Sequence, residues 1–183
     1  GSYNVAIGYD ALSSEQTHGY NTAVGYNALR LQNAGADAYN VALGYNAGEN
    51  ISTGAGNTLI GSQAGDALTT GGFNTVVGKS ALSTEDANGY CTAIGYQALM
   101  TQDAGADALN TAVGFDAGGD ITTGTNNTLM GHEAGNALTT GSYNIAIGKG
   151  ALGAEDAHGR NVAIGHQALT NQDAGADAYN VAV

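Results

Sequence analysis

Hydrophobic and polar positions recur along this chain in a five-residue phrase of the form Asn-x-small-aliphatic-Gly. The second position is Val, Thr or Ile, the third is Ala, Leu or Val, and the fourth is a large aliphatic residue. β-Branched residues in a short run closed by glycine are typical of a strand followed by a turn. The pattern therefore predicts an all-β protein of short strands joined by Gly-, Asn- and Asp-containing connectors.

The phrases begin 17 or 19 residues apart and follow a longer period of 70 residues. This regular interval predicts a parallel β-solenoid, in which each unit forms one coil that stacks on the next. Helical repeats are disfavoured, because the chain has 30 Gly and no 3.6-residue period. We expect residues 1–183 to form a single solenoid segment of a longer fibre protein, with eleven coil starts. At about 4.8 Å per strand, such a rod is about 50 Å long.

The alternation along each phrase predicts which side chains face the core. We expect the fourth position, such as Ile94, to point inward. The second-position threonines are expected inside as well, since Val and Ile share their slot; they are Thr22, Thr58, Thr75, Thr92, Thr111 and Thr128. The third position, as in the row Ala6, Ala23 and Ala42, lies on the opposite face and is never polar. Because a monomer would expose this stripe, the pattern predicts an oligomer.

Asparagine begins ten of the eleven phrases, and its side chain is expected to stack at one corner of the solenoid. There its amide can bond to turn backbone and to the asparagine of the next coil. This structural interpretation is favoured over a ligand-binding row. The row consists of Asn4, Asn21, Asn40, Asn57, Asn74, Asn110, Asn127, Asn144, Asn161 and Asn180, with Cys91 as a tolerated break.

The charge of the chain restricts its partners. Four basic and 16 acidic residues give a net charge of -12, which disfavours nucleic acid and anionic membranes. No window approaches the 18 apolar residues typical of a membrane-spanning helix, so no membrane insertion by this segment is expected. The single Cys91 excludes an internal disulfide framework and a multi-thiolate metal site. Any export signal is expected outside this segment.

The phrases Asn4-Val-Ala-Ile-Gly8, Asn144-Ile-Ala-Ile-Gly148 and Asn161-Val-Ala-Ile-Gly165 resemble the head repeats of YadA-like trimeric autotransporter adhesins. Residues 22–29 and 92–99 are similar to the Asn-Thr-Ala-Val-Gly-Tyr-x-Ala-Leu arrays of tail-fibre and surface-fibre proteins. The resemblance implies a left-handed parallel β-roll that assembles as a homotrimer. It also implies an extracellular location, on a cell surface or a virion, and a role in attachment. The coils of 17 and 19 residues are longer than the adhesin-head repeat.

Acidic residues recur in the connectors of the 19-residue coils. Asp37, Asp107 and Asp177 follow the same Ala-Gly-Ala turn, where carboxylates and carbonyls could ligate Ca²⁺. An Asx-type turn that keeps the edge soluble is the favoured interpretation, and no other cofactor is expected. The adjacent pairs Glu85-Asp86 and Glu155-Asp156 seldom give the separation that a glycosidase needs, so no enzymatic activity is predicted.

The histidines also lack the neighbouring residues that a catalytic or metal site requires. His18, His132, His158 and His166 have no Cys, Ser or second-His partners in the sequence, which favours solvated surface positions.

Aromatic residues occupy the slot after the phrase glycine and the slot before the phrase asparagine. In the first slot, Tyr9, Tyr26, Tyr45 and Tyr96 could stack against sugar rings of a cell-surface glycan or host receptor. Self-stacking ladders or trimer contacts are the favoured alternative.

The sequence thus favours a structural, non-enzymatic fibre segment that gives a stiff shaft with weak polyvalent attachment. A glycan- or receptor-binding adhesin head is the first alternative. A polysaccharide-degrading tailspike would need a long cleft-forming insertion, and an ice-binding solenoid would need the threonine row to face outward.

Overall fold

The computed structural model describes residues 1–84, 86–87, 89–154, 157–172 and 179–183. It is an all-β parallel solenoid of about ten turns, which confirms the fold class predicted from the repeat. Every strand lies within one phrase and is two or three residues long. The strands are β1 Val5–Ile7, β2 Thr22–Val24, β3 Val41–Leu43, β4 Thr58–Ile60, β5 Thr75–Val77, β6 Thr92–Ile94, β7 Thr111–Val113, β8 Thr128–Met130, β9 Ile145–Ile147, β10 Val162–Ile164 and β11 Val181–Ala182.

The eleven strands form one sheet in chain order, and each neighbouring pair is parallel. Residues at the same position of the phrase pair with each other, as Ala6 pairs with Ala23. The backbone ladder extends past the strands, because the N–H of Gly25 donates to the carbonyl of Ile7 at 2.8 Å. None of the described segments contains a helix long and apolar enough to cross a membrane.

The phrase glycine stacks directly on the glycine of the next coil. At Gly25 the backbone has φ +141°, and a Cβ would lie 2.2 Å from the carbonyl oxygen of Gly44. Both the conformation and the close backbone approach exclude any larger residue. The glycine therefore sets the spacing between coils as well as ending the strand.

Each coil contributes a large aliphatic side chain to the interior from the residues after the phrase glycine, and some coils add a second from the third position, such as Leu59 or Val76. In many coils the first of these is the residue four places after the phrase glycine, such as Leu29, which is fully buried. Where that slot is glycine, as at Gly65, the buried residue is three places further on, here Leu68. A Cβ at Gly65 would lie 2.8 Å from Cδ1 of Leu68, so the two positions share one space in the core. A glycine in one slot therefore makes room for the large side chain three residues later.

The strands face the opposite way from the sequence prediction. In β3, Ala42 is 0% exposed, whereas Val41 and Leu43 on either side are 38% and 47% exposed. The third position therefore lines the core, and the second and fourth positions lie on the outer face of the sheet. Alanine, leucine and valine are all fully buried at this position, as at Ala23, Leu59 and Val76. The expected inward position of Ile94 and of the threonine row is wrong, and so is the exposure of the third-position stripe.

Candidate functional site: an outward apolar sheet face between two aromatic rows

The outer face of the sheet carries two rows of side chains along the whole solenoid. The fourth-position row is aliphatic throughout, and the second-position row is threonine in six coils, five of them consecutive from Thr58 to Thr128, and valine or isoleucine in the others. Several of these aliphatic side chains are exposed in the single chain: Val5, Ile7, Val41, Leu43, Met130, Ile145, Ile164 and Val181. A continuous exposed apolar stripe of this kind is typical of an interaction surface.

The threonine row lies on this same outer face. Thr75 and Thr128 are exposed, and Thr22, Thr58, Thr92 and Thr111 are partly exposed. The adjacent row is made of side chains of unequal length, such as Leu43, Val113 and Met130. The surface therefore differs from a flat lattice of threonines, and its chemistry is that of a mixed apolar interface.

An aromatic row borders one side of the sheet face, in the slot after the phrase glycine. The ring centroids of Tyr9 and Tyr26 lie 5.1 Å apart, and those of Tyr26 and Tyr45 lie 5.4 Å apart, with nearly parallel planes. These rings point outward and are exposed. Because each ring lies face to face with the next, the row presents mainly ring edges and hydroxyl groups to solvent.

The same row continues further along the solenoid. Tyr96 stacks on Phe115 at 5.3 Å, and Phe115 stacks on the imidazole of His132 at 5.0 Å. Ser62 and Lys79 occupy the two intervening coils, so the row consists of two separate three-ring stacks. Glycan binding at Tyr9, Tyr26, Tyr45 and Tyr96 stays a prediction. Because the rings are stacked, a sugar would have to contact the ring edges or the free ring face at the end of a stack.

A second aromatic row borders the other side of the sheet, in the slot before the phrase asparagine. Tyr3, Tyr20 and Tyr39 stack at 4.9 and 5.0 Å. Phe73 and Tyr90 form a separate pair at 5.3 Å. In the last coils the guanidinium of Arg160 lies 5.6 Å from the ring centroids of both Tyr143 and Tyr179, which keeps the stack continuous through cation–π contacts.

The asparagine row forms a ladder inside one corner of the solenoid. The Oδ1 of each asparagine accepts the backbone N–H of the next row member, as Asn40 Oδ1 does from Asn57 at 2.8 Å. In the 17-residue coils, Nδ2 also donates to the carbonyl 14 residues further on, as Asn57 does to Gly71 at 3.0 Å. Asn4, Asn110, Asn127 and Asn144 repeat this geometry. Most of the row is buried and bonds to backbone of its own or the next coil, as expected for a structural role.

The 19-residue coils add a buried glutamine beside the first asparagine of the following coil. Gln32, which sequence reasoning had passed over, is fully buried, and its Oε1 accepts from Asn40 Nδ2 at 2.8 Å. Gln102 accepts from Asn110 in the equivalent coil. The signal was present in the sequence, because glutamine recurs at this place in the 19-residue connectors.

The predicted calcium residues do not converge. Asp37 Oδ1 accepts the backbone N–H of Gly19 at 3.1 Å, a bond between coils. Asp107 is exposed at the edge of its connector, and Asp177 lies outside the described residues. In the described part of the chain, no group of three His, Cys, Asp or Glu side chains could hold a metal ion. Calcium binding stays a prediction.

Most members of the acidic pairs, namely Glu85, Glu155 and Asp156, also lie outside the described residues. Among the histidines, the ring of His18 lies 2.7 Å from the hydroxyl of Thr17, and His132 Nδ1 lies 3.4 Å from Glu133 Oε2.

Two carboxyl groups have a perturbed acidity. Burial raises the pKa of Asp66, and the nearby charge of Glu49 acts in the same direction. Burial also raises the pKa of Asp116, followed by repulsion from Asp120 and Glu133. Burial is the main cause of both shifts, and nearby negative charge adds to it.

The class that this fold defines is the parallel β-solenoid with an apolar outer sheet face. Comparison of the chain with family models, with curated proteins and with solved structures finds no match.

Proposed function

We propose that this chain is a structural, non-enzymatic shaft segment of an extracellular fibre, carried on a cell surface or a virion, that assembles as a homotrimer. The observation that carries the proposal is the outward apolar sheet face between the two aromatic rows. Eleven strands at about 4.8 Å and six residues at ~3.3 Å between the rows give a face of about 1,000 Å². This is close to the area that each partner buries in a standard protein interface, about 800 Å².

The fold favours a mechanical role. Strand pairing continues without interruption over eleven strands, and the asparagine ladder repeats alongside it. Bending such a rod would break hydrogen bonds in several neighbouring coils at once. The net charge of -12 keeps separate fibres apart.

The sequence resemblance to trimeric adhesin heads and fibre arrays supports the same proposal. The interface, however, is assigned to the second and fourth positions of the phrase, because the third position is inside the coil. Val77 and Val113, both half-buried in the single chain, lie on this face. Packing three such faces together would remove the exposed aliphatic rows from water.

The test is the mass of the purified chain in solution. We expect light scattering to give about three times 18.1 kDa at micromolar concentration. The double variant Val77→Lys with Val113→Lys should give a folded monomer, since two lysines cannot be buried at an apolar seam. As the control, Asn33→Lys with Asp103→Lys places lysines on exposed connectors and should leave the trimer mass unchanged. A monomeric parent chain, or a trimer that survives the two lysines on the face, would contradict the proposal.

A further inference from the structure

A groove of about 290 Å³ lies beside the aromatic pair Phe73 and Tyr90. It crosses the connectors of successive coils, with Ala55 and Gly72 on its floor and Asp107 at its edge. The hydroxyl-bearing residues Thr53 and Thr70 also line it. Its volume is at the lower end of small-molecule sites, which range from about 300 to 1,000 Å³.

The groove is open because two residues of this repeat are small. Seventy residues further on, Thr125 replaces Ala55 and Ser142 replaces Gly72. There the backbone N–H of Thr125 donates to Ser142 Oγ at 2.9 Å, so the two larger side chains meet where the groove would be. The first repeat has Ser2 in place of Gly72. The opening is thus a local departure from the repeat and not a consequence of the coil geometry.

The chemistry of the groove combines an apolar wall with polar groups. Phe73 is 61% exposed and Tyr90 is 50% exposed, and because the two rings are stacked they present mainly their edges. Asp107 is exposed and, among the described residues, has no hydrogen-bond or ion-pair partner. Its equivalent Asp37 instead bonds to the backbone of Gly19. Asp107 is therefore available as a hydrogen-bond acceptor at the end of the aromatic wall.

We infer that this groove binds a single neutral pyranose unit of a surface polysaccharide. A pyranose has C–H groups that pack against the exposed edges of the two aromatic rings, and hydroxyl groups that donate to a carboxylate and exchange hydrogen bonds with threonine. Acidic sugars are disfavoured, because Asp107 and the net charge of -12 repel them. The inference goes beyond the proposed shaft function and rests on its extracellular location, and its failure would leave the shaft and its trimer mass untouched.

The experiment measures binding of methyl β-galactopyranoside and methyl β-glucopyranoside to the full chain by saturation-transfer NMR and calorimetry. We expect millimolar binding of at least one of them. Asp107→Asn should weaken it about tenfold, the effect of losing one hydrogen bond to a charged group. Tyr90→Asn should weaken it similarly, and it is a safe change for the backbone because Asn126 fills the same slot at φ 59°.

The decisive variant closes the groove with the residues of the next repeat. Ala55→Thr with Gly72→Ser should abolish binding while circular dichroism and the trimer mass stay unchanged. Since a Cβ at Gly72 would lie 2.8 Å from the Ala55 carbonyl, Ala55→Thr alone is the fallback if the double variant is unstable. Tyr20→Asn, the same change in the same row but outside the groove, is the control and should bind the sugar normally.

Three results would overturn the inference. In the first, the parent chain binds neither glycoside. In the second, the variant with the closed groove binds the sugar as well as the parent does. In the third, the parent binds N-acetylneuraminic acid or choline more strongly than the neutral sugars.

Discussion

The Oδ1 of Asn127 accepts the backbone N–H of Asn144 at 2.9 Å, which joins one coil to the next through a buried side chain. Its Nδ2 donates to the carbonyl of Gly141 at 2.9 Å within its own coil. Asn21 makes the first bond but not the second: it accepts from Asn40, and its Nδ2 is buried without a partner. The natural Cys91 stands at the position equivalent to Asn21, where an amide nitrogen would be stranded.

This difference predicts unequal costs for the same substitution in the asparagine row. Asn127→Cys should lower the free energy of unfolding by about 2–4 kcal/mol, because it leaves a buried N–H and a buried carbonyl unsatisfied. Asn21→Cys should cost about 1 kcal/mol or less, because the lost acceptor is offset by removal of an unpaired donor. Denaturant unfolding of the two variants measures the difference. Equal costs would show that the second bond adds no stability.

The orientation of the strands predicts opposite effects at two adjacent residues. Ala93→Asp should destabilise the chain by several kcal/mol, because it puts an unpaired charge into a fully buried site. Ile94→Asp should cost about 1 kcal/mol in the single chain, since this side chain is only partly buried, and should instead dissociate the trimer. Thermal melting and light scattering separate the two outcomes. A severe loss of stability in a monomeric Ile94→Asp chain would contradict the outward orientation of the fourth position.

Glycine at the end of the strand is predicted to be irreplaceable. Gly25→Ala should unfold the local coils, because the new Cβ would lie 2.2 Å from the Gly44 carbonyl oxygen. Gly35→Ala is the matched control: it also has positive φ, +70°, but nothing lies within 4 Å of its Cβ position. We expect it to cost only the left-handed backbone penalty, about 1–2 kcal/mol. If circular dichroism shows that Gly25→Ala is as stable as Gly35→Ala, the statement that neighbouring phrase glycines lie too close for a Cβ is wrong.

The raised pKa of Asp116 predicts that the free energy of unfolding depends on pH. Its pKa is raised above 3.8, first by burial and then by Asp120 and Glu133, so its ionised form destabilises the fold. Stability should therefore be lost as the pH rises from 3.8 through the higher pKa of the folded state. Asp116→Asn restores the residue of the equivalent Asn46, which has the same φ of 53°.

We expect the Asp116→Asn variant to melt at a higher temperature than the parent at pH 7, with the difference vanishing below about pH 4. Asp103→Asn removes the same charge from an exposed connector and should have a smaller effect. If Asp116→Asn still melts at a higher temperature than the parent at low pH, the stabilisation comes from backbone preference and not from removal of the charge.

Much of the solenoid could be predicted because its determinants are local and repeated. Each phrase supplies its own strand and its own turn glycine, and equal spacing places Ala6 beside Ala23 in register. The facing of the strand could not be predicted in this way. Val41 and Leu43 are as apolar as a core position, so alternation alone does not distinguish the inside from the outside.

The sequence by itself determined the class of fold, the coil lengths, the strand positions and the asparagine row, because each of these follows from residues within one repeat. Only the tertiary structure decided which face is buried. The third position is buried whether it is Ala23, Leu59 or Val76, because Leu29 and its equivalents complete the same core from another part of the coil. The groove was decided there too, because Ala55 and Gly72 lie in different coils and meet only when the coils stack. Contacts between side chains of different coils depend on how the coils pack, and the sequence of one repeat does not specify that packing.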